Sequence, residues 1–279
     1  MTKARVLFLS TGVSLIAVLS TAALAQRAAS ALPKVEKTTV NAPVTLIDNG
    51  DSWTLDNGIV KASILKRNGN MSLLLFHGVS LLNARSEYWE QVPSGTVTAR
   101  VTIDPATNGG ERAEVSVKGV NPGGRGGAGG PAGPGAPGAG GGGGRGGGMD
   151  IETRYAMERG SSGFYTYAEY THPASYPAAH VGENRFILES MNPTFNWLSV
   201  DKDRNMLMTT DADLHKGVVI HAKEQRILTS GVYANSVEHK YSYNGVMYRL
   251  QAWGWSSTKD HVGVYFINPS TEYIGGGSE

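Results

Sequence analysis

The sequence predicts a mainly β chain folded as a sandwich. Three observations carry that prediction. Apolar residues alternate with polar ones in many short runs. Asn-Gly and Asp-rich turns separate those runs. No stretch sustains an apolar period of about 3.6 residues, so helices are not expected to build the core.

The chain has 279 residues, 40% of them hydrophobic, enough for a packed core without covalent staples. It has no cysteine, which excludes disulfides and thiolate metal sites. Residues 1–25 read as a secretory signal. Lys3 and Arg5 form its basic start, residues 6–19 its apolar stretch, and Ala23-Leu24-Ala25 its cleavage site. Residues 26–43 read as a flexible lead. No other stretch is long and apolar enough to span a bilayer. Loss of Lys3 and Arg5 takes the net charge from +1 to −1, which points to neither nucleic acid nor an anionic membrane surface. The expected location is therefore secreted, extracellular or periplasmic, with no membrane contact after cleavage, and the expected state is a monomer.

The sandwich is expected to occupy residues 44–279. Asp48-Asn49-Gly50-Asp51 turns into Trp53-Thr54-Leu55. Asp56-Asn57-Gly58 then makes a hairpin with residues 59–65. Residues 71–76 and 79–82 follow as strands around His77-Gly78. Val97, Ala99, Val101 and Ile103 face one way, with Thr98, Arg100 and Thr102 opposite. Val115 and Val117 continue the series.

Residues 123–148 break the pattern. They are almost all Gly, Pro and Ala, with Arg125 and Arg145 the charged exceptions. Backbone entropy and missing side chains keep such a tract from packing. It lacks a strict Gly-X-Y repeat and any GK[ST] phosphate motif. A domain linker is one reading. The β pattern on both sides favours the other, a disordered insertion between two strands of one sheet.

Strands resume at Ile151, where Ile151, Thr153, Tyr155 and Met157 alternate with Glu152, Arg154 and Glu158. In residues 164–171, Tyr165, Tyr167 and Glu169 share one face. Such aromatics pack a sandwich more often than they stack on sugars. Residues 186–191 and 195–200 read as two further strands joined by Asn192-Pro193. Asp201/Asp203 and Asp211/Asp213 are the tight acidic pairs, but the first turn lacks the central Gly and closing Glu of an EF-hand. Solvated turn residues are the commoner reading of both pairs. No metal site is expected, and no cofactor; calcium is conceivable but not indicated.

Residues 248–253 and 262–266 close the chain as two alternating strands. Lys240 precedes them, flanked by His239, Tyr241 and Tyr243. A lysine acts as a base only if its pKa falls from about 10.4 toward neutrality. Burial or neighbouring cations such as His239 and Arg249 could lower it. On composition alone, a solvated lysine at a strand end is the commoner reading.

Five segments resemble the rhamnogalacturonan lyases of polysaccharide lyase family 4, in that family's order. They are residues 159–167 (RGSSGFYTY), Gly182-Glu183-Asn184-Arg185-Phe186, Lys240-Tyr241-Ser242-Tyr243, Trp253-Gly254-Trp255, and Pro269-Ser270-Thr271-Glu272-Tyr273 with its glycines. The resemblance runs from about Val44 to Gly277 and is strongest after Tyr155. It implies the catalytic domain of those enzymes, a β-supersandwich like that of galactose mutarotase. It implies β-elimination within the rhamnogalacturonan I backbone of pectin, as an endolyase with Lys240 as base. It implies Arg185 as a substrate carboxylate clamp, with Tyr241 and Tyr243 beside the base and Tyr273 at the exit of the groove. Arginine suits the carboxylate because its planar fork matches one bidentately.

Two departures stand against the pattern. The family often carries a second arginine four residues on, where Glu189 stands here. The family's histidine acid follows the glycines, yet none of the seven histidines does so here. His239 and His261 do not match that acid. The chain thus reads as the front part of a longer protein, incomplete at its C-terminus, and the missing acid weighs against its activity alone. The alternative reading is a non-catalytic carbohydrate-binding protein on the same sandwich.

Overall fold

The Asn-Gly turns build the first sheet hairpin by hairpin. In the structure, a computed structural model, residues 39–123, 148–179, 184–190, 194–199, 203, 205–220, 225–239 and 252–267 are described. Strands β1 (Thr45–Asp48), β2 (Ser52–Asp56), β3 (Val60–Leu65) and β4 (Met71–Phe76) pair antiparallel in succession. The short β5 (Val79–Ser80) caps β4, and β6 (Leu82–Trp89) extends the sheet. Asn57, fully buried, explains the second turn. Its side-chain oxygen accepts from the Ile59 and Val60 amides, and its Nδ2 donates to the Glu158 and Ser161 carbonyls at 2.8 Å each. One side chain thus shapes the hairpin and ties it to a second sheet.

That second sheet holds β7 (Thr96–Ile103), β8 (Arg112–Val120), β9 (Asp150–Glu158) and β10 (Phe164–Thr171) in the order β10-β9-β8-β7. Strands β8 and β9 flank the glycine tract and pair antiparallel out to Gly119↔Ile151. Residues 124–147 of that tract lie outside the described residues, as do the signal and most of the lead. One core cluster joins the two sheets. Trp53, Leu55, Ile64, Met71 and Leu74 belong to the first sheet, and Val115, Val117, Tyr155 and Met157 to the second. Each such side chain, fully buried, contributes roughly 1.5–3 kcal/mol relative to exposure. Gly69, at φ +74°, lets the β3–β4 turn approach the second sheet. A Cβ there would stand 2.2 Å from Thr153 Oγ1.

After the second sheet, β11 (Phe186–Ser190) returns to the first and pairs with β6. Strand β12 (Trp197–Ser199) starts a third sheet with β13 (Asn205–Leu207). A short helix, α1 (Asp211–Lys216), follows. Then β14 (Val218–Val219), β15 (Gln225–Ile227) and β16 (Val237–His239) form a three-stranded sheet. Strands β17 (Ala252–Ser256) and β18 (Gly263–Ile267) complete the third sheet beside β12. The chain is mainly β, its antiparallel sheets packed as a sandwich.

Three local readings change. The run at residues 79–82 splits between β5 and β6. A bulge after Val101 sets Ile103 opposite Glu114 and breaks the expected alternation. The Asp211/Asp213 pair opens a helix instead of a turn. Thr210 caps it by accepting from the Asp213 amide at 3.1 Å, and the Asp213 oxygens accept from Ser230 and Thr210 at 2.6 Å each. Those two hydrogen bonds hold the Asp213 carboxyl below its ordinary range. The Thr-x-x-Asp spacing was the available signal. Among the described residues, no group of three or more His, Asp or Glu side chains could hold a metal ion. No helix among them is long and apolar enough to cross a membrane.

Candidate carboxylate-binding site

The end of β6 and the start of β11 bring two residues together that lie far apart in sequence. Phe186 pairs with Trp89, and the Glu90 amide donates to the Arg185 carbonyl at 2.8 Å. The same step places the two side chains together. Arg185 Nε donates to Glu90 Oε2 at 2.9 Å and its Nη2 to Oε1 at 3.1 Å. This is the bidentate fork expected of an arginine that binds a carboxylate, with an internal carboxylate in it. The Arg185 side chain is 40% exposed and that of Glu90 17%.

A column of rings begins at Trp89 and Phe186, the chain neighbours of the pair. Trp89 meets Phe186 at 5.1 Å between centroids, Phe186 meets Phe266 at 5.6 Å, and Phe266 meets Trp253 at 5.3 Å. Trp253 and Trp255 stand edge to face at 5.0 Å. Trp89 Nε1 donates to Thr166 Oγ1 of β10 at 3.1 Å. The column therefore links the first, second and third sheets beside Arg185. Gly254 explains the Trp-Gly-Trp spacing. A Cβ there would lie 2.0 Å from the Val264 carbonyl and 2.7 Å from the Tyr265 Cα.

Asn184, next to Arg185, is fixed from β10. Tyr170 donates its hydroxyl hydrogen to Asn184 Oδ1 at 2.5 Å. Burial pushes the Tyr170 phenol up to about 12, so the donor stays protonated at neutral pH.

Of the residues the sequence singles out, Arg185 is placed here with a carboxylate in its fork. Lys240 directly follows β16, whose His239 pairs with Gln225. Lys240, Tyr241, Tyr243 and Tyr273 lie outside the described residues. Sequence reasoning missed Glu90, Asn184 and Tyr170 as the surroundings of Arg185. Asn184 was within a quoted motif. Nothing in the sequence near Tyr88-Trp89-Glu90 pointed to a residue so distant.

The planar Arg185 fork can hold a carboxylate, and in this structure the carboxylate it holds is that of Glu90.

Residues 143–237 match the family model described as Rhamnogalacturonate lyase family.

That match covers about a third of the chain and relates it to those lyases, with polysaccharide lyase as the class of activity it supports and a pectic polysaccharide as the substrate it implies. It includes β9 to β15, and so Tyr170, Asn184 and Arg185. It stops short of Lys240 and of the Trp-Gly-Trp segment. No curated protein matches the chain.

Proposed function

We propose that the chain is a secreted rhamnogalacturonan endolyase that cleaves the rhamnose-(1→4)-galacturonate bond by β-elimination, with Lys240 as general base. The observation that carries this reading is the family match over residues 143–237, which includes Arg185. The chemistry needs the uronate carboxylate neutralised, since the C5 proton is otherwise too weakly acidic. Arg185 supplies that neutralisation. Neutral Lys240 takes the C5 proton. The electrons of the C5–H bond form the C4–C5 double bond, the C4–O bond breaks, and the leaving oxygen takes a proton from solvent water. In this reading, Tyr241 and Tyr243 are carried over from the resemblance as substrate-binding residues beside the base and Tyr273 as one toward the exit. None of the seven histidines is assigned to the leaving group.

One observation favours a second reading. Glu90 already fills the Arg185 fork, as in a structural ion pair of a carbohydrate-binding protein without catalysis. Single-turnover absorbance of the unsaturated uronate product separates the two. A rise on rhamnogalacturonan supports the lyase. Binding of the polymer with no rise supports the second reading.

A further inference from the structure

The outer face of the β7–β10 sheet carries an ion network that sandwich packing does not require. Tyr167, Arg154, Ser116 and Arg100 lie in one cross-strand row, and Glu169, Glu152, Lys118 and Thr98 in the next. Glu114 and Glu152 form the lower layer, each side chain 6% exposed. Arg154 donates to both, through Nη1 to Glu114 at 3.2 Å and Nε to Glu152 at 2.8 Å. Ser116 and Arg100 also donate to Glu152, and Thr102 and Arg112 to Glu114. Lys118 lies 3.8 Å from Glu152.

Above the carboxylates stand cations and rings, together with the exposed Glu169 and with Glu158, which lies 3.4 Å from Arg112. Arg100 is 56% exposed, Lys118 42% and Arg112 40%. Tyr165 and Tyr167, for which the sequence favours core or rim packing, are 57% and 44% exposed. Being two residues apart on β10, they present rings on one side, roughly 7 Å apart along the strand. The Arg154 guanidinium lies 5.9 Å from the Tyr167 ring centre, which steadies that ring.

We propose that this outer face is a second carbohydrate-binding surface, where Tyr165 and Tyr167 stack on sugar rings and Arg100, Arg112 and Lys118 meet the hydroxyls and carboxylates of an acidic polysaccharide. Two arguments support it. Buried ion networks add little net stability over apolar side chains of equal size, so stability alone does not account for this face. Arginines fixed from below by carboxylates lose little further freedom when a ligand arrives. The surface lies on a different sheet from Arg185. It would hold a polymer without taking part in its cleavage. The ligand class rests on the lyase reading; the shape and charge of the surface do not.

The test uses the full chain and measures binding of rhamnogalacturonan and of a neutral galactan. The wild type is expected to prefer the acidic polymer, with the preference shrinking as salt rises. The double variant Tyr165→Ala/Tyr167→Ala is expected to bind rhamnogalacturonan at least about ten-fold more weakly, about 1.4 kcal/mol. Tyr165→Phe/Tyr167→Phe, which keeps the ring faces, should bind as the wild type does. Equal binding by the alanine variant and the wild type would overturn the proposal, as would a wild type that binds neither polymer or both alike. Should the alanine variant melt early, Arg100→Gln/Lys118→Gln carries the test: loss of the acidic preference supports the surface, and its survival contradicts it. The lyase reading has a separate readout. Surface-dependent binding without product absorbance would keep this surface and remove the lyase; product absorbance with binding indifferent to Tyr165 and Tyr167 would do the reverse.

Discussion

Two arginine–carboxylate arrangements in this protein look alike on paper and differ in kind. On the outer face of the second sheet, Arg154 divides itself between Glu114 and Glu152, whose side chains are almost entirely covered. At the junction of β6 and β11, Arg185 grips Glu90 with two prongs while 40% of its side chain stays exposed. Burial weighs against charging Glu114, yet hydrogen bonds from Thr102, Arg112 and Arg154 outweigh it and hold the carboxyl below its ordinary range. Burial likewise opposes Glu152, and Ser116, Arg154 and Arg100 overcome it. The first arrangement is a frame in which each member depends on several others. The second is a pair that an incoming carboxylate could exchange at small cost, because a half-exposed ion pair contributes only about 0–1 kcal/mol. Burial, more than residue type, separates an arginine that holds the fold from one available to a ligand.

Substitutions sharpen that contrast. The largest effect is expected at Arg154→Ala, which leaves two buried carboxylates short of their main cation. Chemical denaturation should show a loss of about 3–5 kcal/mol, and a loss near zero would mean the frame is not a frame. Acid is expected to act next. The folded values of Glu114 and Glu152 are lowered, so their contribution is present above the unfolded glutamate value and is lost as pH falls through the folded one. Thermal stability should therefore hold at neutral pH and decline below roughly pH 4.3. Glu152→Gln should flatten part of that decline. Glu90→Gln is expected to cost only about 1 kcal/mol. Under the lyase reading it should also lower KM with kcat little changed, since the internal competitor for Arg185 is weakened. A higher KM would make Glu90 a support for Arg185 instead. The smallest effect is expected at Tyr170→Phe, about 1 kcal/mol or less, measured by thermal unfolding.

Much of the fold was legible because turn chemistry is local. Asp56-Asn57-Gly58 predicts its hairpin from three residues, and residues 71–76, bounded by turn residues, and the alternating 164–171 form strands as expected. What escaped was set by partners remote in sequence. Period-two alternation put Glu152 on the polar side of β9, but its burial depends on Arg100, Ser116 and Arg154. The helix at Asp211–Lys216 is a single capped segment too short to show a period. At the candidate site, the Gly-Glu-Asn-Arg-Phe motif drew attention to Arg185, yet Glu90 reaches it only through the β6–β11 pairing. Tyr165 and Tyr167 were visible as a shared face. Which way that face points depends on how β10 sits against the first sheet.

The most direct measurement is the single-turnover rate of product absorbance on rhamnogalacturonan for the wild type and for Lys240→Ala, with polymer binding measured beside it. The account expects Lys240→Ala to lose at least about a thousand-fold in rate while still binding the polymer, as removal of a proton-transfer group does. A Lys240→Ala rate equal to that of the wild type would contradict Lys240 as the base, and with it the elimination mechanism assigned to this chain.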